Sequence, residues 1–245
     1  MPAKKTGLKI IIVMPAYNAG KTITAVFPRI PAPFLKRISE FIVVNDGAKD
    51  DTAEKIAELK KKYTIKALTH VVNRGYGGAQ KTGFGEAVKD NADIAVLLHS
   101  DGQYPPEILD RMIAPIEDGS ADMVLGSRIL GGKALQGGMP LHRYLGNRLL
   151  TAIENIAYGL NISEYHTGYI AYSKRALHAI PFAKLSNTYH FDGEMILMAS
   201  KRKLKVKEVP IEAHYRDEKS YLNPITYGID VLKIIFKNFI GKYNF

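Results

Sequence analysis

The feature that most constrains this chain is an apolar run that ends abruptly in polar side chains. Residues 94–98 read Ile-Ala-Val-Leu-Leu, the pattern of a strand buried on both faces of a parallel sheet. His99, Asp101 and Gln103 follow at alternate positions, and all three are side chains of the ligand type. Because open α/β sheets bind ligands at the carboxyl ends of their strands, the segment predicts a binding site. The alternative is a solvated strand end whose Asp101 caps the next helix.

Similar units recur along the chain, which at 245 residues is long enough for one large α/β domain or two small ones. Strand patterns alternate with helical patterns at short loop lengths, and polar or glycine-rich residues follow each of the first four strand patterns. This alternation predicts a mostly parallel central sheet flanked by helices, with functional residues along one edge. The predicted strands cover residues 8–14, 37–44, 65–72, 94–98, 122–126, 170–172 and 205–214.

Composition excludes several classes of protein. The chain has no cysteine, so disulfides and thiolate metal sites are impossible. No segment approaches the roughly 20 apolar residues of a membrane span, and residues 1–9 lack the apolar stretch of a signal peptide, so we expect a cytoplasmic or membrane-peripheral protein. A net charge of +10 predicts an anionic partner. Nucleic acid is not expected, because the chain has no matching motif and its positive charge is spread out.

A glycine-rich segment, residues 75–78, follows the third predicted strand. It is not a dinucleotide-binding fingerprint, because Gln80 stands where the last glycine of that motif belongs. It does not begin a phosphate-binding loop either, because Phe84 stands where that motif requires lysine. We interpret the segment as backbone that must turn tightly or let a ligand approach closely.

Eight short segments, taken in order, resemble the motifs of family 2 glycosyltransferases of the GT-A fold. The similarity is to the branch that transfers sugars to polyprenyl phosphates such as dolichyl phosphate, and it covers nearly the whole chain. The matching residues are Pro15, Tyr17 and Asn18; Asn45, Asp46 and Gly47; Asn73, Gly75 and Gly77; His99, Asp101 and Gln103; Gly126, Ser127 and Arg128; Thr167, Gly168 and Tyr169; Phe191 and Glu194; and Glu208 to Ile211.

The chain departs from the family pattern at three positions. Asn45 and His99 each stand where the family motif has an acidic residue, and Ile170 stands where an arginine often occurs. The tip of the fourth strand therefore carries one carboxylate fewer than the pattern. Because imidazole is a poor ligand for Mg²⁺ and an acceptable one for Mn²⁺, we expect Mn²⁺ to be favoured.

The resemblance implies a GT-A catalytic domain over residues 1–222, with a nucleotide-sugar-binding half at 1–128 and an acceptor half at 129–222, followed by an amphipathic helix at 223–245. It implies that a hexose moves from a GDP- or UDP-sugar to a polyprenyl phosphate by a metal-assisted, inverting displacement. The implied metal ligands are His99, Asp101 and Gln103. The implied donor-binding residues are Pro15, Ala16, Tyr17, Asn18, Asp46, Gly75, Ser100 and Asp101.

The resemblance also implies roles in catalysis. Asp101 would hold the ion on the leaving diphosphate, and Arg128 would supply fixed positive charge. A polyprenyl phosphate is already ionised near neutral pH, so it needs no strong base; a hydroxyl acceptor would need Asp192 or Glu194. The implied acceptor-binding residues are Arg143, Tyr215, Arg216, Lys219 and Ser220.

Two alternatives to this function stay open from the sequence. One keeps the donor chemistry and uses a glycan or small-molecule hydroxyl as acceptor. The other is a non-catalytic nucleotide-sugar-binding protein, which the depleted metal motif suggests. Apolar residues at 229, 232, 235, 236 and 239 recur at helical spacing beside lysines, so the C-terminal helix is predicted to lie on an anionic membrane surface, on the core, or on the second subunit of a homodimer.

Overall fold

The computed structural model of the protein describes residues 7–132, 134–212 and 224–245. Within these ranges a seven-stranded sheet forms the centre, and helices cover it. The strands are β1 (Ile10–Ala16), β2 (Ile38–Asn45), β3 (Ile65–Thr69), β4 (Ile94–Leu97), β5 (Met123–Ser127), β6 (Ile170–Ser173) and β7 (Val206–Pro210). The helices are α1 (Ile23–Val26), α2 (Ala32–Leu35), α3 (Thr52–Leu59), α4 (Tyr76–Lys89), α5 (Leu109–Glu117), α6 (Leu141–Tyr158), α7 (Lys174–Ala179), α8 (Phe191–Lys201) and α9 (Pro224–Phe239).

The strand order is β3-β2-β1-β4-β6-β5-β7. Four of the six neighbouring pairs are parallel, whereas β6 runs antiparallel to both β4 and β5. The prediction of a mostly parallel sheet flanked by helices is confirmed. The antiparallel insertion of β6 was not predicted, because a short apolar strand carries no local signal for its direction.

The apolar runs are continuous because both faces of the sheet are covered. Successive side chains of a strand point to opposite faces, so Ile11 and Val13 pack in one core layer while Ile12 and Met14 pack in the other. All four are fully buried. The same alternation in β4 divides its side chains between the two layers.

The parallel register brings the carboxyl ends of β1, β2 and β4 to one edge of the sheet, here called the carboxyl edge. Ala16 lies opposite Asn45, and Val13 lies opposite Leu97. The polar residues that follow these three strands therefore meet in space although they are far apart in sequence. This placement is the reason that the edge can carry a site.

The C-terminal segment forms the predicted helix, α9, which packs against α6. Among the residues that the structure describes, none of the helices has the combined length and apolar character that crossing a bilayer requires.

Candidate functional site

A cavity of about 1410 Å³ opens at the carboxyl edge. Typical small-molecule sites occupy roughly 300–1,000 Å³, so this cavity is larger than a single small ligand requires. Residues that follow β1, β2 and β4 line it, together with residues of α4, α6, α8 and α9. The predicted site residues along its wall are Pro15, Ala16, Tyr17, Asn18, Asp46, Gly75, His99, Ser100, Asp101, Gln103, Arg128, Arg143 and Asp192.

The other five predicted site residues fall into two groups. Tyr215, Arg216, Lys219 and Ser220, the implied acceptor-phosphate residues, lie outside the described residues. Glu194 is described, but it lies behind the cavity wall. Its two carboxylate oxygens accept hydrogen bonds from the Ser186 amide at 2.7 Å and the Tyr243 hydroxyl at 2.6 Å.

Asp192 and Glu194 have different surroundings because they lie two positions apart on the same helix, α8. Residues two positions apart in an α-helix are separated by about 200° of rotation, so the side chains at 192 and 194 point to nearly opposite sides. Asp192 lines the cavity and Glu194 joins α8 to the C-terminal residues. Both were candidate bases from the sequence, and the structure places only Asp192 at the cavity wall.

The loop that follows β1 is held by short polar contacts. Asn18 has a positive φ of 49°, and its side-chain oxygen accepts a hydrogen bond from the Lys49 amide at 2.9 Å. The hydroxyl of Ser100 donates to the carbonyl of Pro15 at 2.8 Å, which ties the loop after β4 to β1. These contacts fix the backbone beside which Tyr17 stands half exposed toward the cavity.

Asp46 organises the glycine-rich segment. Its buried carboxylate accepts hydrogen bonds from the amides of Arg74 at 2.9 Å and Gly75 at 3.1 Å, and it lies 2.6 Å from Nδ1 of His70. Gly75 has a φ of +85°, and a Cβ there would lie 2.7 Å from the carbonyl oxygen of Asn187. Asp46 therefore shapes the glycine-rich loop at the cavity wall, a role that the sequence did not predict.

His99 and Asp101 stand together at the tip of β4. Oδ1 of Asp101 accepts a hydrogen bond from the Gln103 amide at 3.0 Å, and Oδ2 lies 4.0 Å from Nδ1 of His99. The imidazole packs edge-on against the rings of Tyr76 and Tyr104, with centroids 5.5 and 5.0 Å away. Burial lowers the pKa of His99, although the nearby Asp101 opposes the shift, so the ring is neutral at pH 7.

This pair fits a divalent cation. Nδ1 of His99 and Oδ2 of Asp101 are donor atoms that such an ion accepts, and both residues line the cavity. The described residues contain no group of three or more His, Cys, Asp or Glu side chains that would enclose an ion. A partly open site of this kind suits Mg²⁺ or Mn²⁺, which sites for phosphate substrates typically hold with one or two protein groups plus phosphate oxygens.

Tyr76, at the start of α4, joins His99 to Asp192. Its hydroxyl donates a hydrogen bond to Oδ2 of Asp192 at 2.6 Å and lies 3.0 Å from Nε2 of His99. Burial raises the pKa of Asp192 to about 7, while the hydrogen bond from Tyr76 acts in the opposite direction. Sequence analysis did not single out Tyr76, because nothing local distinguishes it from other aromatic residues near a helix start.

Arg128 is fixed at the cavity wall by Glu164. The Arg128 amide donates to one oxygen of this fully buried carboxylate at 2.7 Å, and its Nε donates to the other at 2.9 Å. Asn147 of α6 donates to the same carboxylate at 3.0 Å. Glu164 lies 36 residues from Arg128 and was not among the predicted site residues.

His166 links the cavity to α9. Its Nδ1 lies 3.1 Å from the hydroxyl of Tyr227, and burial lowers the pKa of His166 to about 3, so the ring is neutral. Both residues line the cavity. The C-terminal helix is therefore part of the cavity wall as well as a surface element.

The chain shares its fold and its family with known proteins. The solved structure of glucosyl-3-phosphoglycerate synthase from Mycobacterium tuberculosis, in complex with Mn²⁺, UDP and phosphoglyceric acid, covers 97% of this chain and 80% of its own, with a TM-score of 0.72 and 20% identity. The shared fold is that of the GT-A glycosyltransferases. The model of Glycosyl transferase family 2 matches residues 11–180, and the chain belongs to this family.

Two further proteins are more similar to this chain in sequence. The UDP-N-acetylglucosamine–dolichyl-phosphate N-acetylglucosaminyltransferase of Methanococcus voltae is 32% identical over 85% of this chain and 86% of its own length. The dolichol-phosphate mannosyltransferase of Pyrococcus furiosus is 29% identical over 83% of this chain, which spans 56% of that longer protein. The protein is thus a glycosyltransferase, and the non-catalytic alternative is set aside.

Proposed function

We propose that the protein transfers a sugar from a nucleotide-diphosphate donor, GDP- or UDP-linked, to a polyprenyl phosphate, with the help of a divalent cation. The observation that carries the proposal is the pairing of His99 with Asp101 at the tip of β4, inside a cavity that is larger than a single small ligand requires. The relatives named above act on dolichyl phosphate by name, and the solved neighbour holds Mn²⁺ with UDP. A further structure of the same synthase holds Mg²⁺ with UDP.

The cation would be held by His99, Asp101 and Gln103. When bound, it supplies Lewis acidity to the departing diphosphate. The residues of the chain do the positioning: the loop after β1 presents Tyr17 and Asn18 to the nucleoside, and Asp46 keeps the amides of the glycine-rich segment turned inward. Because one protein ligand is an imidazole, Mn²⁺ is expected to support transfer better than Mg²⁺.

The acceptor side of the cavity carries cationic side chains. Arg128 and Arg143 line it, and Arg128 is already oriented by Glu164. A lipid phosphate is ionised near neutral pH, so no proton has to be removed from it. The two arginines need only bind the phosphate and orient its attacking oxygen. The acceptor phosphate therefore matches the chemistry of this wall.

A second candidate acceptor is a hydroxyl group of a glycan or small molecule. The observation that favours it is Asp192, a cavity-lining carboxylate whose pKa is raised to about 7 by burial. A general base is most effective when its pKa lies near the operating pH. Under this alternative Asp192 would take the proton of the attacking hydroxyl.

The direct test is transfer by the purified protein from radiolabelled GDP- and UDP-sugars to a polyprenyl phosphate in detergent micelles. We expect a labelled, organic-phase product that is lost with EDTA and restored by Mn²⁺ more fully than by Mg²⁺. A product only with hydroxyl acceptors would favour the second candidate. Cation-independent transfer would contradict the metal site.

Replacing Arg143 with alanine is expected to lower transfer to polyprenyl phosphate by about one to two powers of ten. A charge-assisted contact contributes roughly 1.5–3 kcal/mol, and about 1.4 kcal/mol corresponds to a tenfold change in rate. Donor affinity, measured by calorimetry, should not change. The control is Arg148→Ala, because Arg148 lies on the same helix but is exposed and is not among the cavity-lining residues.

Asp192→Asn decides between the two acceptors in the same assay. With a phosphate acceptor it should affect transfer less than Arg143→Ala does. A nearly inactive Asp192→Asn enzyme beside an active Arg143→Ala enzyme, both measured at saturating Mn²⁺, would instead identify a hydroxyl acceptor.

The face of α9 that points away from the core fits an anionic bilayer surface. Phe236 is 62% exposed and Phe239 is 87% exposed, and Lys233 and Lys237 flank them. The neighbouring helix α6 also exposes apolar side chains, namely Leu141, Leu145 and Leu149. Exposed apolar groups beside lysines match lipid tails and anionic head groups. We propose that this face holds the enzyme on the membrane where a lipid acceptor lies.

The double variant Phe236→Glu, Phe239→Glu is expected to lower binding to vesicles that contain phosphatidylserine by at least about tenfold. Each fully buried phenylalanine contributes roughly 1.5–3 kcal/mol. Co-sedimentation measures vesicle binding. Val71→Glu serves as the control, since Val71 is 98% exposed in the loop after β3. Unchanged vesicle binding would contradict the membrane proposal, and a dimer that dissociates in the variant would identify a second subunit as the partner of this face.

A further inference from the structure

We propose that Tyr76 is a positioning residue of the metal site: it bridges Asp192 and His99, fixes the tautomer of the imidazole, and so makes Nδ1 the metal-ligating atom of His99. This inference rests on the proposed function, because it concerns the cation that the proposed function uses.

The hydrogen-bond donors of the bridge determine the tautomer. A tyrosine hydroxyl has one hydrogen, and when Asp192 is ionised Tyr76 donates it to Oδ2 of that carboxylate at 2.6 Å. The 3.0 Å contact between the same hydroxyl and Nε2 of His99 is then a hydrogen bond only if the imidazole donates. A neutral imidazole has one N–H, so placing it on Nε2 leaves a lone pair on Nδ1.

The packing around His99 fixes the direction in which that lone pair points. Nδ1 faces Oδ2 of Asp101 across 4.0 Å. On the opposite side of the ring, a Cβ on Gly168 would lie 2.7 Å from both Nε2 of His99 and the hydroxyl oxygen of Tyr76. Only glycine leaves room there for the hydrogen-bonded bridge, and the rings of Tyr76 and Tyr104 flank the imidazole.

The bridge has the form that metal-bound histidines require. A ligating histidine donates its second ring N–H to an outer partner, which fixes its orientation, and loss of that partner typically costs 10–100-fold in metal affinity or activity. Here the partner is a hydroxyl that a buried carboxylate orients. In the other tautomer, an N–H on Nδ1 would point at Asp101 and prevent ligation.

The test is Tyr76→Phe, which keeps the ring and removes the bridge. We expect Mn²⁺ affinity, measured by electron paramagnetic resonance with UDP or GDP present, to fall about 10–100-fold. Tyr104→Phe is the matched control, because its ring packs on the same imidazole while its hydroxyl accepts from the Gly168 amide. It should keep the wild-type affinity. Thermal unfolding confirms that both variants are folded.

A second measurement separates this inference from the proposed function. Nitrogen-15 chemical shifts of the His99 ring, recorded on the metal-free protein, should show the Nε2–H tautomer in the wild type and a mixture in Tyr76→Phe. A wild type that binds no Mn²⁺ but shows this change would overturn the metal-dependent function and retain the bridge. Unchanged shifts and unchanged affinity in Tyr76→Phe would overturn the inference itself.

Discussion

Replacing Asp101 with alanine is expected to lower sugar transfer by at least about a hundredfold. Its carboxylate stands at the tip of β4, where the ion and the diphosphate would meet, and a catalytic cation stabilises the transition state by several kcal/mol. At about 1.4 kcal/mol per tenfold change, losing 3–4 kcal/mol corresponds to two to three powers of ten. The side chain is 43% exposed and accepts its hydrogen bond from Gln103 within its own loop, so the fold should persist.

The measurement is transfer at saturating Mn²⁺, together with Mn²⁺ affinity and the thermal midpoint. Asp118→Ala is the control, since Asp118 accepts a similar hydrogen bond from the Ser120 amide two residues on, and it does not line the cavity. Asp101→Ala should lose affinity for the ion along with activity. Wild-type turnover and metal dependence in Asp101→Ala would contradict the proposed metal site.

Replacing Glu164 with alanine is expected to lower the free energy of unfolding by about 3–5 kcal/mol, the usual cost of removing one partner from a buried ion pair. Glu164 is fully buried, and its carboxylate receives the Arg128 guanidinium, the Arg128 amide and the Asn147 amide. The Arg128 side chain is only 20% exposed, so water offers it little compensation. For a domain of this size the thermal midpoint should fall by about 6–20 °C.

Differential scanning calorimetry measures this loss. Glu107→Ala is the control, because Glu107 pairs with Arg29 at the surface, where an ion pair contributes no more than about 1 kcal/mol. Glu164→Gln keeps the volume and removes the charge, so it should fall between wild type and Glu164→Ala. A midpoint unchanged in Glu164→Ala would show that Arg128 finds another partner at no cost.

The sequence by itself determined the sheet and the location of its functional edge. Apolar runs of strand length, each followed by polar residues and a helical pattern, specify parallel β-α units, and parallel units bring their carboxyl ends together. The resemblance to family 2 glycosyltransferases adds that Tyr17, Asp46 and Asp101 belong to one site at this edge. The loop residues that follow β1, β2 and β4 line the cavity as expected.

Only the tertiary structure decided which partners these residues have. Tyr76 meets Asp192 across 116 residues of chain, and Arg128 meets Glu164 across 36. Neither contact can be predicted from the local sequence pattern, because a hydrogen bond between distant segments depends on how the helices and strands pack. The rotation of α8, which directs Asp192 into the cavity, is set in the same way, by the apolar layers on which the helix rests. Sequence patterns record what each segment buries, and the fold alone determines which polar groups then lie within hydrogen-bonding distance.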